Sequence, residues 1–365
     1  MKKVLFIFFQ TPNKANGGVN SLVEIIANLK QVDPIVLTQS KTRVNERLGE
    51  VGVEVILTNK VSGGVSAKDV YSWVRFQFQL IKILLRNDFF AVHVNDFQSL
   101  LYSILVLKLS GLKVYFNLRG VFAEGIDYGI KWRLVNWCEN LIVLSKEMKE
   151  QLLKRLPISS SNNNEDFVQS IYSIVDFDRF KPIVKNLDIT NKRVLYVAAF
   201  STLKNQRAFI HETKKWINRN SVHIDFVGDD NNDYGESCKQ LVKELKLNEK
   251  ITFHGYQKDI SHFYHKADVT VVLSKREGLA RCMIESLACG TPVVSFDVCS
   301  AKEILTDNNC GLVVAQGDYN QVCSHIGKLL GDKERYEQLS KNAVALANNL
   351  FNEDDIVSKY ERIYL

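Results

Sequence analysis

No stretch of this sequence approaches the roughly 18 consecutive uncharged apolar residues that a membrane-spanning helix needs. The N-terminus, MKKVLFIFFQTPNK, imitates a secretion signal, but its apolar part runs only from Val4 to Phe9 and no small-residue cleavage site follows. Its β-branched and aromatic residues suit a first strand instead. The seven cysteines are odd in number and contain no C-x-x-C pair, which argues against a zinc or disulfide framework and for reduced thiols in a cytoplasmic protein. Neither a basic run nor a basic–aromatic alternation marks a nucleic-acid surface. No Asp-x-Asp metal motif stands at a strand end, and Asp229-Asp230 is a weak substitute.

What is present is ordinary for a water-soluble protein: 46% hydrophobic and 24% charged residues. A length of 365 residues accommodates two domains at about 100–200 residues each. The net charge of +6 is unevenly shared, because residues 1–183 hold 23 Lys+Arg against 17 Asp+Glu and the remainder balances at 24 against 24. A basic first half suits a phosphate-bearing lipid or the anionic inner leaflet of a membrane; an excess this small is equally within ordinary surface variation.

The first half alternates strands and helices, as a parallel sheet covered on both faces requires. Strands are expected at Val4–Phe9, Pro34–Thr38, Val53–Thr58, Ala91–Val94, Lys113–Asn117, Leu141–Leu144 and Ser170–Ile174. Gly17-Gly18 follows the first strand and opens the helical pattern Leu22, Ile25, Ile26, Leu29. Those glycines permit either a close backbone approach to a ligand or merely a flexible connection. His93 alternates inward as a core histidine, Asn95-Asp96 caps a helix, and Ser145 opens another, Lys146 to Leu156. Ser159 to Asp166 reads as a mobile surface loop. Residues 183–191 read as the linker, after which Arg193–Ala198, His223–Val227 and Ile251–Phe253 restart the alternation; Asp259 and Asp268 read as caps.

The most informative stretch runs from Ala267 to Glu303. Val269 to Leu273 form an apolar strand, Ser274 to Gly278 a polar turn, and Met283, Ile284, Leu287 and Ala288 recur at helical spacing before Gly290 and Pro292 stop the helix. Val293–Phe296 is the next strand, completing a βαβ unit. Ligands in such units sit at the carboxyl ends of the strands, where this chain carries Glu277 in the turn and Glu285 in the helix. Gly278, Leu279 and Ala280 lie at the helix start, where N–H groups favour anionic oxygens.

Glu277-Gly278-Leu279, Glu285, Gly290-Thr291-Pro292-Val293-Val294 and Glu303-Ile304-Leu305 together resemble the nucleotide-sugar site of retaining GT-B glycosyltransferases of the family-4 type. The resemblance implies an α/β protein of two doubly wound Rossmann-like domains facing each other across a cleft. Residues 1–183 would form the acceptor side, residues 192–350 the donor side, and a C-terminal helix at about 352–365 would pack back on the first domain. It assigns Glu277 to the sugar hydroxyls, Glu285 to the ribose, and Lys204 to the diphosphate. It places the Gly17-Gly18 loop by the donor diphosphate and Gly255 in the base-binding region.

The sequence departs from the family at three points. Arg119 stands where many members have histidine; an arginine cannot be a general base, so it would act as a fixed charge on phosphate or sugar hydroxyls. The turn usually written Asn-Gly-Val-Asp begins Ser173-Ile174. Ala199 replaces the arginine that partners the lysine, and Arg207, one turn beyond Lys204, is a candidate substitute.

The implied activity is metal-independent hexosyl transfer, with retention, from a UDP- or GDP-sugar. The acceptor would be a glycan or polyprenyl-type lipid-linked molecule in surface polysaccharide assembly, as in lipopolysaccharide or capsule. No cofactor beyond the donor is implied. Peripheral contact with the inner membrane face through the basic first domain is a further expectation. A nucleotide-sugar epimerase of the same fold and a non-catalytic nucleotide-sugar-binding scaffold are the alternatives.

Overall fold

The computed structural model describes residues 1–9, 17–39, 43–58, 67–120, 133–154, 164–184 and 192–365. Phe122–Ile130, which the sequence suggests as a loop that shapes the pocket, and most of the expected linker, residues 185–191, lie outside them. The chain divides into two compact units, Met1–Ile174 with Glu353–Leu365, and Val175–Asn352.

The first unit is built on a seven-stranded sheet of β1 (Lys2–Ile7), β2 (Val32–Thr38), β3 (Glu54–Leu57), β4 (Phe89–Val94), β5 (Lys113–Leu118), β6 (Asn140–Val143) and β7 (Val168–Ser170). Its order is β3-β2-β1-β4-β5-β6-β7, with every pairing parallel. Leu5 pairs with Ile35 on one side and Val92 on the other, and all three are buried. Continuous apolar strands form because both faces are covered, and each fully buried aliphatic side chain contributes about 1.5–3 kcal/mol.

The C-terminal helix Glu353–Tyr364 belongs to this unit. Its buried Glu361 accepts from the backbone N–H groups of Lys30 (2.5 Å) and Gln31 (2.6 Å). Tyr360 and Tyr364 are buried, with Asn117 Nδ2 donating to the Tyr360 hydroxyl at 3.0 Å.

The second unit has β8 (Lys192–Val197), β9 (Val222–Val227), β10 (Ile251–Phe253), β11 (Val269–Val272), β12 (Val293–Phe296) and β13 (Gly311–Val314) in the parallel order β10-β9-β8-β11-β12-β13. Its core is aromatic: Tyr196, Phe209 and Phe226 pack ring against ring beneath the helices. Glu303-Ile304-Leu305 lies in a π-helical turn, Lys302–Thr306, with Ile304 and Leu305 buried.

Several sequence expectations shift. The last strand of the first unit is Val168–Ser170 rather than Ser170–Ile174, because pairing with β6 ends at Val143–Ser170. Of the expected loop Ser159–Asp166, residues 159–163 are outside the described set, and Asn164–Phe167 forms one helical turn. The helix opened by Ser145 is described as Lys146–Leu153, and Ser145 caps it by accepting from Met148 N–H at 3.1 Å. Asp268 is no helix cap; its carboxylate accepts from Arg193 N–H at 2.7 Å and pins the start of β8.

Residues 175–182, expected in the first domain, group with the second unit. Arg179 bonds Asp259 (3.1 Å), and the Phe180 ring packs edge-on against Tyr264.

Candidate functional site

In each sheet the strand order reverses direction once, between β1 and β4 in the first and between β8 and β11 in the second. Loops leaving the carboxyl ends of such neighbouring strands diverge and open a crevice for ligands. Lys204 lies in the loop after β8 and Glu277 in the loop after β11. Lys275 N–H donates to Leu203 O at 2.9 Å, tying the two loops together. The Lys204 ammonium forms an ion pair with Glu277, and the Tyr196 hydroxyl donates to the Lys204 carbonyl. Neither charged group is fully withdrawn from water, at 28% and 13% side-chain exposure.

Glu285 sits in the first two turns of the helix Arg281–Ala288 and is 5% exposed. One carboxylate oxygen accepts from the Tyr264 hydroxyl at 2.9 Å, the other from Arg281 Nη2 (3.1 Å) and Nε (3.2 Å). Burial, followed by the Glu285 charge, raises the Tyr264 pKa well above the usual phenol value, so the hydroxyl keeps its proton and donates. Tyr264 is itself fixed by Thr291, whose hydroxyl donates to its carbonyl at 2.9 Å. The Gly-Thr-Pro sequence thereby orients the residue that orients Glu285.

Cys282 lies among these charges. Burial pushes its thiol up to about 12, with Glu277 adding to the shift and Lys204 opposing it. The thiol therefore stays neutral at ordinary pH.

Leu279 and Ala280 are buried immediately before the helix, and Ala280 at its N-cap has no side-chain group to bond the first-turn N–H groups. Gly278 precedes them in the same turn. The end of a helix so prepared favours anionic oxygens.

Gly255 is at the carboxyl end of β10, two strands from β8, with φ +63°. Its carbonyl accepts from Gly228 N–H at 2.9 Å, and its α-carbon faces Asp230. His254 is held by Asp225 at 2.7 Å, and Arg193 grips the same carboxylate at 2.7–2.9 Å, so the polar face of β8, β9 and β10 fixes this edge.

Arg207 is exposed, and its backbone N–H donates to the Tyr234 hydroxyl at 3.2 Å. Burial raises the Tyr234 and Cys238 pKa values, and the Arg207 charge opposes part of each shift. The arginine bonded to Glu285 is Arg281. Sequence reasoning passed over Arg281 and Tyr264. The i, i+4 spacing of Arg281 and Glu285 was the available signal for the first; none marked the second.

In the first unit, Gly17 and Gly18 begin the helix Gly17–Ala27, and residues 10–16 before them are outside the described set. Arg119 follows β5, and its Nε donates to Asn95 Oδ1 at 2.7 Å. Asp96 caps the helix Phe97–Ser110, accepting from Ser99 N–H at 2.8 Å. His93 is buried with Nδ1 at 2.8 Å from the Tyr364 hydroxyl; burial, then the Arg119 charge, lowers its pKa to about 3. It is a neutral core histidine.

Two parallel open sheets, each with one switch point, define the two-domain α/β architecture called GT-B. Alr3699/HepE of Anabaena, solved with UDP and glucose, shares this fold at a TM-score of 0.82 and 18% identity over 100% of this chain and 99% of that one. A glycosyltransferase of Rickettsia africae shares it at 0.83 and 19%, over 100% and 97%.

Residues 178–345, which fall within the second unit, match the family described as glycosyl transferases group 1. The N,N'-diacetylbacillosaminyl-diphospho-undecaprenol alpha-1,3-N-acetylgalactosaminyltransferase of Campylobacter jejuni is 24% identical over 93% of each chain. The N-acetyl-alpha-D-glucosaminyl L-malate synthase of Bacillus anthracis is 25% identical over 55% of this chain, which spans 54% of that relative's length. Among the described residues no helix is long and apolar enough to cross a membrane.

Proposed function

We propose that this protein transfers a hexose, with retention of configuration, from a UDP- or GDP-sugar to a glycan or lipid-linked acceptor in surface polysaccharide assembly. The observation that carries the reading is the Lys204–Glu277 ion pair at the carboxyl edge between β8 and β11. Two relatives' descriptions support it. HepE was solved with UDP-glucose, and the Campylobacter relative is named for an undecaprenol-linked acceptor.

Negative charge builds on the diphosphate as the glycosidic bond breaks, so cations and N–H groups aimed there lower the barrier. In this reading the donor's phosphates take the Lys204 ammonium from Glu277, and the freed carboxylate accepts from the sugar hydroxyls. Glu285, aligned by Tyr264 and Arg281, receives the ribose hydroxyls. The first-turn N–H groups after Ala280 complete the anion site. Protein cations thereby do the work of a metal, and the leaving phosphate deprotonates the acceptor on the same face of the sugar.

Two measurements test this. A UDP- or GDP-sugar at 100 times its dissociation constant should protect against unfolding by about 2.7 kcal/mol. Free nucleoside diphosphate should appear only when acceptor is added, with product of unchanged anomeric configuration by NMR. Donor conversion without acceptor would instead establish an epimerase, and protection without any turnover a binding scaffold.

A further inference from the structure

The helices Ala67–Arg86 and Phe97–Ser110 of the first unit stand side by side. Gln77 Nε2 donates to Tyr102 O at 2.7 Å, and the Phe9 ring touches both Phe76 and Tyr102. Their inner faces, with Phe76, Leu80, Leu100 and Ile104, are buried. Their outer faces are also apolar. Tyr71, Val74, Phe78, Ile81 and Leu85 recur at helical spacing along the first helix and are exposed, Phe78 at 69% and Leu85 at 82%. Leu101, Leu105 and Leu109 do the same on the second, Leu109 at 80%. Exposed apolar residues scattered singly are normal; a continuous stripe over four turns, doubled by a neighbouring helix, marks a surface that is covered in use.

The charges beside the stripe have one sign. Arg75, Lys82, Arg86 and Lys108 are exposed among these residues, and Lys108 lies over the ring of Trp137, itself 48% exposed. No carboxylate occurs from residue 70 to residue 87; Asp69 stands in the first turn and Asp88 beyond the last. Two copies meeting through this face would bring like charges together with no acid to match them. An anionic lipid surface neutralises the cations and buries the stripe.

We propose that these two helices form an interfacial docking face that lays the first unit on an anionic bilayer, with Phe78, Leu85 and Leu109 entering the headgroup–acyl boundary and the four basic side chains contacting lipid phosphates. The face lies on a different unit from the Lys204–Glu277 pair and stands or falls separately from the donor reading.

Flotation of the full chain with phosphatidylcholine vesicles, with and without phosphatidylglycerol, tests it. The protein should float with the anionic vesicles and release in high salt. Phe78→Ser with Leu85→Ser should weaken partitioning by more than tenfold. Lys82→Glu with Arg86→Glu should abolish the preference for anionic lipid, each lost cation alone being worth roughly fivefold. All four side chains are exposed, so the fold tolerates their replacement, and an unchanged midpoint of urea unfolding checks this. A protein that stays with neither vesicle, or floats equally with both, overturns the proposal. So does a wild-type dimer that Phe78→Ser with Leu85→Ser converts to monomer, which would assign the face to a second copy.

Discussion

The two strand-order reversals use one architecture for opposite chemistry. At the edge of the first sheet polar side chains bond one another in part: His93 bonds Tyr364, Asn117 bonds Tyr360 and Arg119 bonds Asn95, while His93 Nε2 and Asn117 Oδ1 are buried with no hydrogen-bond partner among the described residues. His93 and Asn117 are fully buried and carry no charge. At the edge of the second sheet the pairs are ionic and partly wet, Lys204 with Glu277 and Arg281 with Glu285. A buried hydrogen-bonded network fixes packing, whereas a partly exposed ion pair can exchange one partner for a charged ligand at little cost. On the proposed function, the ionic edge is the one that exchanges a partner for the donor.

The comparison breaks most readily at the backbone. Gly228 follows β9 with φ +151°, and a Cβ there would lie 2.0 Å from Ala198 O. Gly228→Ala should therefore destabilise the second unit by about 3 kcal/mol in urea unfolding while leaving the first unchanged. A transition at the wild-type midpoint would show that this edge does not depend on close backbone approach.

Next comes the chemistry. Glu277→Ala should cut acceptor-dependent nucleotide release by on the order of 10²-fold with the fold intact. A rate within twofold of wild type would remove the carboxylate from the sugar's grip and leave the second edge no more functional than the first.

Arg281→Leu leaves Glu285 aligned by Tyr264 alone. The donor KM should rise about tenfold with kcat changed less, as expected when a uniformly binding contact is lost. Equal losses in kcat and kcat/KM would place Arg281 on the leaving group instead.

The smallest effect at neutral pH is expected from His93. Its folded pKa of about 3 lies below the ordinary value of 6.5, so the unfolded chain binds the proton more readily between them. Stability from this group is complete above about pH 6.5 and falls as pH drops toward 3, with a limiting slope of about 1.4 kcal/mol per pH unit. His93→Gln should flatten that slope in denaturant titrations at several pH values without altering donor binding. A change in donor affinity would make the first edge functional after all.

Much of the second sheet's edge was legible because it is local. Glu277, the helix start and Glu285 fall within nine residues, and strand, turn, helix and Gly-Thr-Pro announce themselves by period and by residue type. Arg207 illustrates the limit. Its spacing from Lys204 makes it a candidate second cation, and its backbone N–H donates to Tyr234 of the helix Asp233–Glu244, a partner that no local pattern announces. Tyr264 was invisible for the same reason, since a tyrosine between a polar loop and a buried strand reads as packing until its hydroxyl is seen against Glu285.

The sequence by itself determined that two parallel α/β sheets would form and that acidic groups would cluster at one βαβ turn, because hydrophobic period, helix stops and turn chemistry act over a few residues. Only the tertiary structure decided which charges meet. Lys204 and Glu277 are 73 residues apart, and His93 and Tyr364 are 271 apart. The adjacency of β8 and β11 brings the first pair within reach and the packing of the helix Glu353–Tyr364 the second, and no local pattern encodes either.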